Sequence, residues 1–217
     1  MVLETNIDWW QKIVESPTSE FQKLFDAERE FLLTNIPSES YVLDVGCGDG
    51  RGIETIIKQT QKIIGVDNDL VAVNEINNRF RHSPNVYAEL CTAQNLTFGS
   101  NTFDLVTHLM LLPNLGDRKE FSIGEAARVL KSGGKLLLST YAETALEIRI
   151  AMSESIDAPI LDVDGESGTI IYSLSSGNVT SEQFSLEQLK ELGEKAGLTM
   201  VNHQKVGELA YLVVFEK

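Results

Sequence analysis

Asp44 stands two residues ahead of three alternating glycines, Gly46, Gly48 and Gly50, in the stretch Val42-Leu43-Asp44-Val45-Gly46-Cys47-Gly48-Asp49-Gly50-Arg51-Gly52. Glycine admits left-handed backbone and lets main-chain N–H groups approach a ligand closely. The spacing is not that of a dinucleotide loop. A G-x-G-x-x-G pattern would place its third glycine at 51 or 53, where the chain has Arg51 and Ile53. No Gly-Lys-Ser/Thr closes the loop as a nucleotide-phosphate loop requires. A carboxylate beside the turn repels pyrophosphate and attracts ammonium, so the sign of Asp44 favours a small cationic ligand. A tight strand-to-helix turn with no ligand would use the same glycines.

Asp67 is the second acid of interest. It ends the apolar run Lys62-Ile63-Ile64-Gly65-Val66 and lies 21 residues after Gly46. At that distance the acid closing a second strand can accept from both ribose hydroxyls of a nucleoside. Asp67, Asn68 and Asp69 could equally cap the helix that follows. His108 closes a later strand, where a lone histidine is more often structural than catalytic. Cys47 and Cys91 are expected on strands separated by one neighbour, ~9–10 Å apart, and so to be free thiols. Asp157 to Glu166 is acid-rich but lacks the twelve-residue calcium-loop spacing, so it is read as a solvated loop with no metal.

The elements that must position these residues follow from periodicity. Ile7, Trp10, Ile13 and Val14, then Phe21, Leu24, Phe25, Phe31 and Leu32, predict two amphipathic helices within residues 5–36, broken at Ser16-Pro17. Trp9-Trp10 reads as a core or surface staple ahead of a pair of lid aromatics, and Tyr141 as packing. Strands are expected at 42–45, 62–67, 85–90 and 103–108. Helices at 70–80 and 121–130 and a capped helix from Ser185 connect them, and an antiparallel pair ends the chain. Gly133-Gly134 is expected to stop the helix before it. Residues 142–185 predict a helix, the acidic loop and a hairpin.

Leu43-Asp44-Val45-Gly46-Cys47-Gly48-Asp49-Gly50 closely resembles motif I of the class I S-adenosylmethionine-dependent methyltransferases. Cys91 to Val106 is similar to that family's Gly-Asp-Ala-x-x-Leu-Pro-Phe-x-x-x-Ser-Phe-Asp-x-Val, and Arg128 to Thr140 to its turn and fifth strand. The resemblance covers roughly residues 40–140. It implies an α/β fold, a Rossmann-like three-layer sandwich whose seven-stranded, mostly parallel sheet ends in an antiparallel hairpin. It implies S-adenosylmethionine as cofactor and S-adenosylhomocysteine as product. Asp44, Gly46, Cys47, Gly48 and Gly50 would form the loop against the cofactor, with Asp67 and Asn68 at its ribose. Thr92 stands where the family usually has an aspartate for the adenine amino group; a threonine accepts as a neutral, shorter group, and Ala93 would contribute main chain. His108 would lie near the methionine part, and Arg29 would pair with its carboxylate. No general base announces itself, and no Asn-Pro-Pro-Tyr motif for amine recognition follows strand four. The expected reaction is in-line methyl transfer to a small-molecule acceptor. Cofactor binding without catalysis and a nicotinamide-dependent oxidoreductase are the alternatives.

Charge narrows the partners. Eighteen basic against thirty-two acidic residues give a formal net charge of −14, which repels nucleic-acid backbones and anionic bilayers. No run long enough to span a membrane exists, and Met1 to Asn6 lacks the basic and apolar regions of a secretion signal. The expectation is a cytoplasmic protein of one domain, residues 1–217. Within it, residues 1–36 form a helical cap and 142–185 a substrate-cap insertion. The sequence leaves the oligomeric state open.

Overall fold

The structure is a computed structural model that describes residues 6–174 and 177–217, with side chains from Trp10 onward. Two helices come first, α1 (Asn6–Glu15) and α2 (Ser19–Asn35). Then β1 (Tyr41–Val45), α3 (Arg51–Ile56), β2 (Lys62–Asp67), α4 (Leu70–Arg79) and β3 (Val86–Leu90) follow in alternation. After β4 (Phe103–Leu109), α5 (Lys119–Val129) leads into β5 (Leu130–Tyr141), and α6 (Leu146–Ser155) into β6 (Ile160–Asp164), β7 (Thr169–Leu174) and β8 (Gly177–Ser181). The chain closes with α7 (Leu186–Lys195), β9 (Thr199–Val206) and β10 (Ala210–Glu216).

Seven strands form one sheet in the order β3-β2-β1-β4-β5-β10-β9, the first five parallel and β10 antiparallel to both its neighbours. The order reverses at β1: β2 and β3 extend to one side, β4 and β5 to the other. That reversal opens a crevice beyond the carboxyl ends of β1 and β4, where ligands of such sheets bind. Strand alternation sorts the core into two layers. Val42, Leu105 and Leu137 pack with Phe21, Leu24, Ile53 and Ile76; Leu43, Val106 and Leu138 pack on the other face with Ile123 and Leu189.

Two local readings change. The acid-rich stretch expected as a loop contains β6, which pairs with β7 in a separate antiparallel sheet of β6, β7 and β8. Its Leu161, Asp162, Val163 and Asp164 are exposed, so polar side chains cost nothing on this edge strand. Gly133-Gly134 does not stop a helix. α5 ends at Val129, and Gly133 (φ +75°) bends β5 where its N–H meets the Lys217 carbonyl at 2.8 Å. Among the described residues, no helix is long and apolar enough to cross a membrane.

Candidate functional site

The glycine loop is held by main-chain bonds. The N–H groups of Gly46 and Cys47 both donate to the Val66 carbonyl, at 2.8 and 3.1 Å, tying the loop to β2. Gly46 (φ +71°) and Gly50 (φ +78°) occupy left-handed backbone, and the space beside them is taken. A Cβ at Gly50 would sit 2.2 Å from Ile76 Cδ1, and one at Gly46 2.8 Å from Leu111 Cδ1.

Three acids surround this loop. Asp44 is buried beneath it and accepts from Thr107 Oγ1 at 2.5 Å, across the Asp44–Thr107 register of β1 and β4. Burial raises its carboxyl to a pKa of about 6, against the Thr107 hydrogen bond and the Arg51 charge. Asp67 closes β2 and accepts from Gly48 N at 3.0 Å and Asp69 N at 2.9 Å; burial raises its pKa too. Asp69 caps α4, accepting from Val71 N at 2.8 Å. Each Asp67 oxygen has one protein donor, which leaves a second lone pair on each. Cys47 and Cys91 are both free and buried.

A cavity of about 500 Å³ begins at this loop and runs to the small sheet. Its loop side is lined by Gly46, Gly48, Asp49, Asp67, Asn68, Asp69 and Leu70. The far side is lined by Trp10 and Ile13 of α1, Leu109, Met110 and Leu111 after β4, Tyr141, Ser153 and Ile156, and Tyr172, Leu174, Val179 and Ser181 of the small sheet. Met110 holds a left-handed conformation (φ +53°). Its N–H is fixed by both the carbonyl (3.1 Å) and the hydroxyl (3.0 Å) of Ser139.

Arg51 joins the two sides. Its Nε and Nη2 donate to Glu28 Oε2 at 3.2 and 3.0 Å, and Nη1 lies 3.7 Å from Asp49. The guanidinium faces the ring of Trp10, 4.8 Å from its centroid, and that of Phe25 at 5.4 Å. Glu28 is 2% exposed, and its other oxygen accepts from the Ser139 hydroxyl. Sequence reasoning missed this pair, although a signal existed. Glu28 lies seven residues after Phe21, four after Leu24 and three before Phe31, a carboxylate in the apolar stripe of α2.

Arg29 and His108, two of the expected residues, stand off the cavity wall. Arg29, one step round α2 from Glu28, is exposed and borders a neighbouring groove with Leu33 and Lys58 rather than the cavity. His108 does not reach the cavity. It points to the α5 face of the sheet, fully buried, with neither ring nitrogen hydrogen-bonded, and burial alone lowers its pKa to about 3. Leu109 and Met110, the next two residues, line the cavity instead, because strand alternation turns His108 the other way. Thr92 is exposed and Ala93 partly buried just past Cys91, whose N–H donates to the Asp67 carbonyl at 2.9 Å; neither lines the cavity. Trp10 and Tyr141, read as packing residues, line it while also packing, Trp10 against Phe25 and Tyr141 against Phe21. The side chain of Trp9 lies outside the described residues.

Comparison with known proteins agrees with this fold. Residues 42–134 match the family described as Methyltransferase domain. Over this stretch the chain is similar to S-adenosylmethionine-dependent methyltransferase domains. A probable S-adenosylmethionine-dependent methyltransferase of Mycobacterium tuberculosis is 32% identical over 119 residues, 55% of this chain and 40% of that protein. The demethylmenaquinone methyltransferase of Tropheryma whipplei is 31% identical over 101 residues, 46% of this chain and 41% of that protein. The chain thus spans less than half the length of these curated relatives. Among solved structures, the Burkholderia thailandensis 1,6-didemethyltoxoflavin-N1-methyltransferase, with 1,6-didemethyltoxoflavin and S-adenosylhomocysteine bound, shares the fold. Its TM-score is 0.68 at 18% identity, covering 95% of this chain and 82% of that one.

Proposed function

We propose that the chain binds S-adenosylmethionine against the glycine loop and directs its methyl group to a small-molecule acceptor held on the far side of the cavity. The observation that carries this reading is the division of one cavity into an acidic, main-chain-lined side and an apolar, aromatic side. The donor set fits the cofactor. Asp44, Asp49 and Asp67 supply negative charge for a ligand bearing a sulfonium and an ammonium, and the free lone pairs of Asp67 suit two ribose hydroxyls. Main chain at Gly46, Cys47, Gly48 and Gly50, with Asn68, would complete the contacts. Exposed Leu70 offers apolar surface to the adenine, with Thr92 and Ala93 past its edge. Arg51, not Arg29, is the cation placed to meet a carboxylate on the cavity side.

When bound, the cofactor supplies a methyl carbon that an acceptor attacks as the carbon–sulfur bond breaks and sulfur keeps the electron pair. The chain's own contribution is positioning and exclusion of water. Met110, held rigid by Ser139, marks where the two sides meet. Residues 1–36 and 142–185 act as a cap, since α1 and the small sheet supply Trp10, Ile13, Tyr172, Leu174, Val179 and Ser181 to the far wall. The relative named demethylmenaquinone methyltransferase and the neighbour named 1,6-didemethyltoxoflavin-N1-methyltransferase support a small acceptor. Calorimetric titration with S-adenosylhomocysteine, beside NADH as a control, tests the reading. A saturable isotherm with the first and none with the second is expected; NADH binding alone would overturn it.

A further inference from the structure

The far side of the cavity carries an electrostatic feature that the cofactor does not use. Arg149 of α6 is 2% exposed and makes no salt bridge with any described residue. Its Nη1 donates to the Gly168 carbonyl at 2.7 Å and to Gln183 Oε1 at 3.3 Å, and its Nη2 to the Ser181 carbonyl at 2.6 Å; Nε has no partner. All those acceptors are neutral. A buried cation without a counter-charge is costly, and nature normally pairs it. The guanidinium carbon stands 4.6 Å from the Tyr141 ring centroid, on the wall of the cavity.

The hydroxyls on this side point to the same chemistry. Ser153 gives its hydrogen to the Arg149 carbonyl at 2.7 Å, so in the 2.8 Å Ser153–Tyr172 contact the hydrogen comes from Tyr172. The Tyr141 hydroxyl has no hydrogen-bond partner among the described residues and can donate to a ligand. The carboxylates that line the cavity, Asp49, Asp67 and Asp69, all stand on the loop side.

We propose that the far side of the cavity binds an apolar organic oxyanion, a carboxylate or an ionised phenol, with Tyr141 as its hydrogen-bond donor and Arg149 as its counter-charge behind the Tyr141 ring. This deepens the proposed function by assigning the class of acceptor, and it rests on that reading. Arg149 is a specificity residue here, acting through the wall. Arg51 stands at the glycine loop, where the proposed function gives it the cofactor's carboxylate, and so does not serve this side.

Octanoate and octanamide, which share a chain and differ in charge, are the probes, titrated calorimetrically into the full chain with and without S-adenosylhomocysteine. Octanoate is expected to bind tighter by about tenfold or more, as a charge-assisted hydrogen bond exceeds a neutral one. Arg149→Met should erase that preference without altering S-adenosylhomocysteine affinity, and Arg149→Lys should keep most of it. Because Arg149 also ties α6 to the small sheet, a measurement on the unaltered chain decides the matter even where Arg149→Met does not fold. Bound 4-nitrophenol, whose anion is coloured, should ionise about tenfold more readily than in water, one unit lower in pKa. Equal affinity for octanoate and octanamide, or an unchanged or raised nitrophenol pKa, overturns the proposal. A missing S-adenosylhomocysteine isotherm would instead sink the cofactor reading, while the carboxylate–amide contrast would still decide this one.

Discussion

The two sides of the cavity are made by different means. The loop side takes its geometry from main chain: Gly46, Cys47 and Gly48 bond to Val66 and Asp67, partners on the adjacent strand, and Asp69 caps its own helix. The far side takes its geometry from side chains contributed by α1, β4, β5, α6 and the small sheet. Main chain fixed by strand pairing tolerates little variation, whereas a wall of side chains from separate elements can be recut for a different ligand. The difference suits a constant cofactor facing a variable acceptor.

Removing the far wall is the most severe way to break that comparison. Deleting residues 1–20 takes away Trp10 and Ile13 and uncovers Arg51. Turnover should be abolished while S-adenosylhomocysteine still binds, as read by a coupled assay beside calorimetry. Turnover equal to that of the full chain would refute a capping role for these residues.

The bridge between the sides comes next. Arg51→Met strands the buried Glu28 carboxylate, and the expected loss is about 3 kcal/mol of stability, the lower end for breaking a buried pair because Arg51 is partly exposed. Arg51→Met with Glu28→Gln should recover a large part of it in urea denaturation. A single variant as stable as the unaltered chain would mean the pair contributes nothing to holding α2 against the loop.

Within the loop side, two acids two residues apart are expected to behave differently. Asp67→Ala should weaken S-adenosylhomocysteine by about 2–4 kcal/mol, roughly 30- to 1000-fold, through loss of two hydrogen bonds to a charged group. Asp69→Ala should cost about 1 kcal/mol of stability as a lost cap and leave affinity nearly intact. Equal affinities in calorimetry would remove the ribose assignment.

The smallest net effect is a pair of opposed pH dependences that largely cancel. His108, its pKa lowered to about 3 in the fold, stays neutral while the unfolded chain takes up a proton below about pH 6.5. Its contribution is therefore complete above that pH and falls away on acidification, by about 2 kcal/mol between pH 7 and 5. Asp44, raised to about 6, works in the other direction. The folded chain holds the proton more tightly, so stability grows on acidification, by about 1 kcal/mol over the same interval. The unaltered chain should change little between pH 7 and 5. His108→Leu should gain stability across that interval and Asp44→Asn should lose more than the unaltered chain, both by urea titration. Two variants with the same slope would show that burial does not shift these groups as described.

Much of the fold was legible in the sequence because its signals are local. Glycines before a helix, an acid at the end of an apolar run, Asp69 ahead of α4 and Ser185 three residues before Gln188 each act within a few residues. The structure keeps them: Ser185 accepts from the Gln188 N–H and Gln188 returns the bond. The parallel order of β1 to β5 and the closing hairpin follow from the same alternation of elements. What only the tertiary structure decided is which side chains meet. One residue of helical phase puts Glu28 rather than Arg29 against the core, and one residue of strand phase turns His108 away from the cavity. Trp10, Tyr141 and Tyr172 are separated by well over a hundred residues from first to last, yet line one wall. Nothing in the sequence sets Arg149 apart from a surface arginine, and its burial depends on the small sheet folding over it. Periodicity names a face of an element; only packing says what that face is set against.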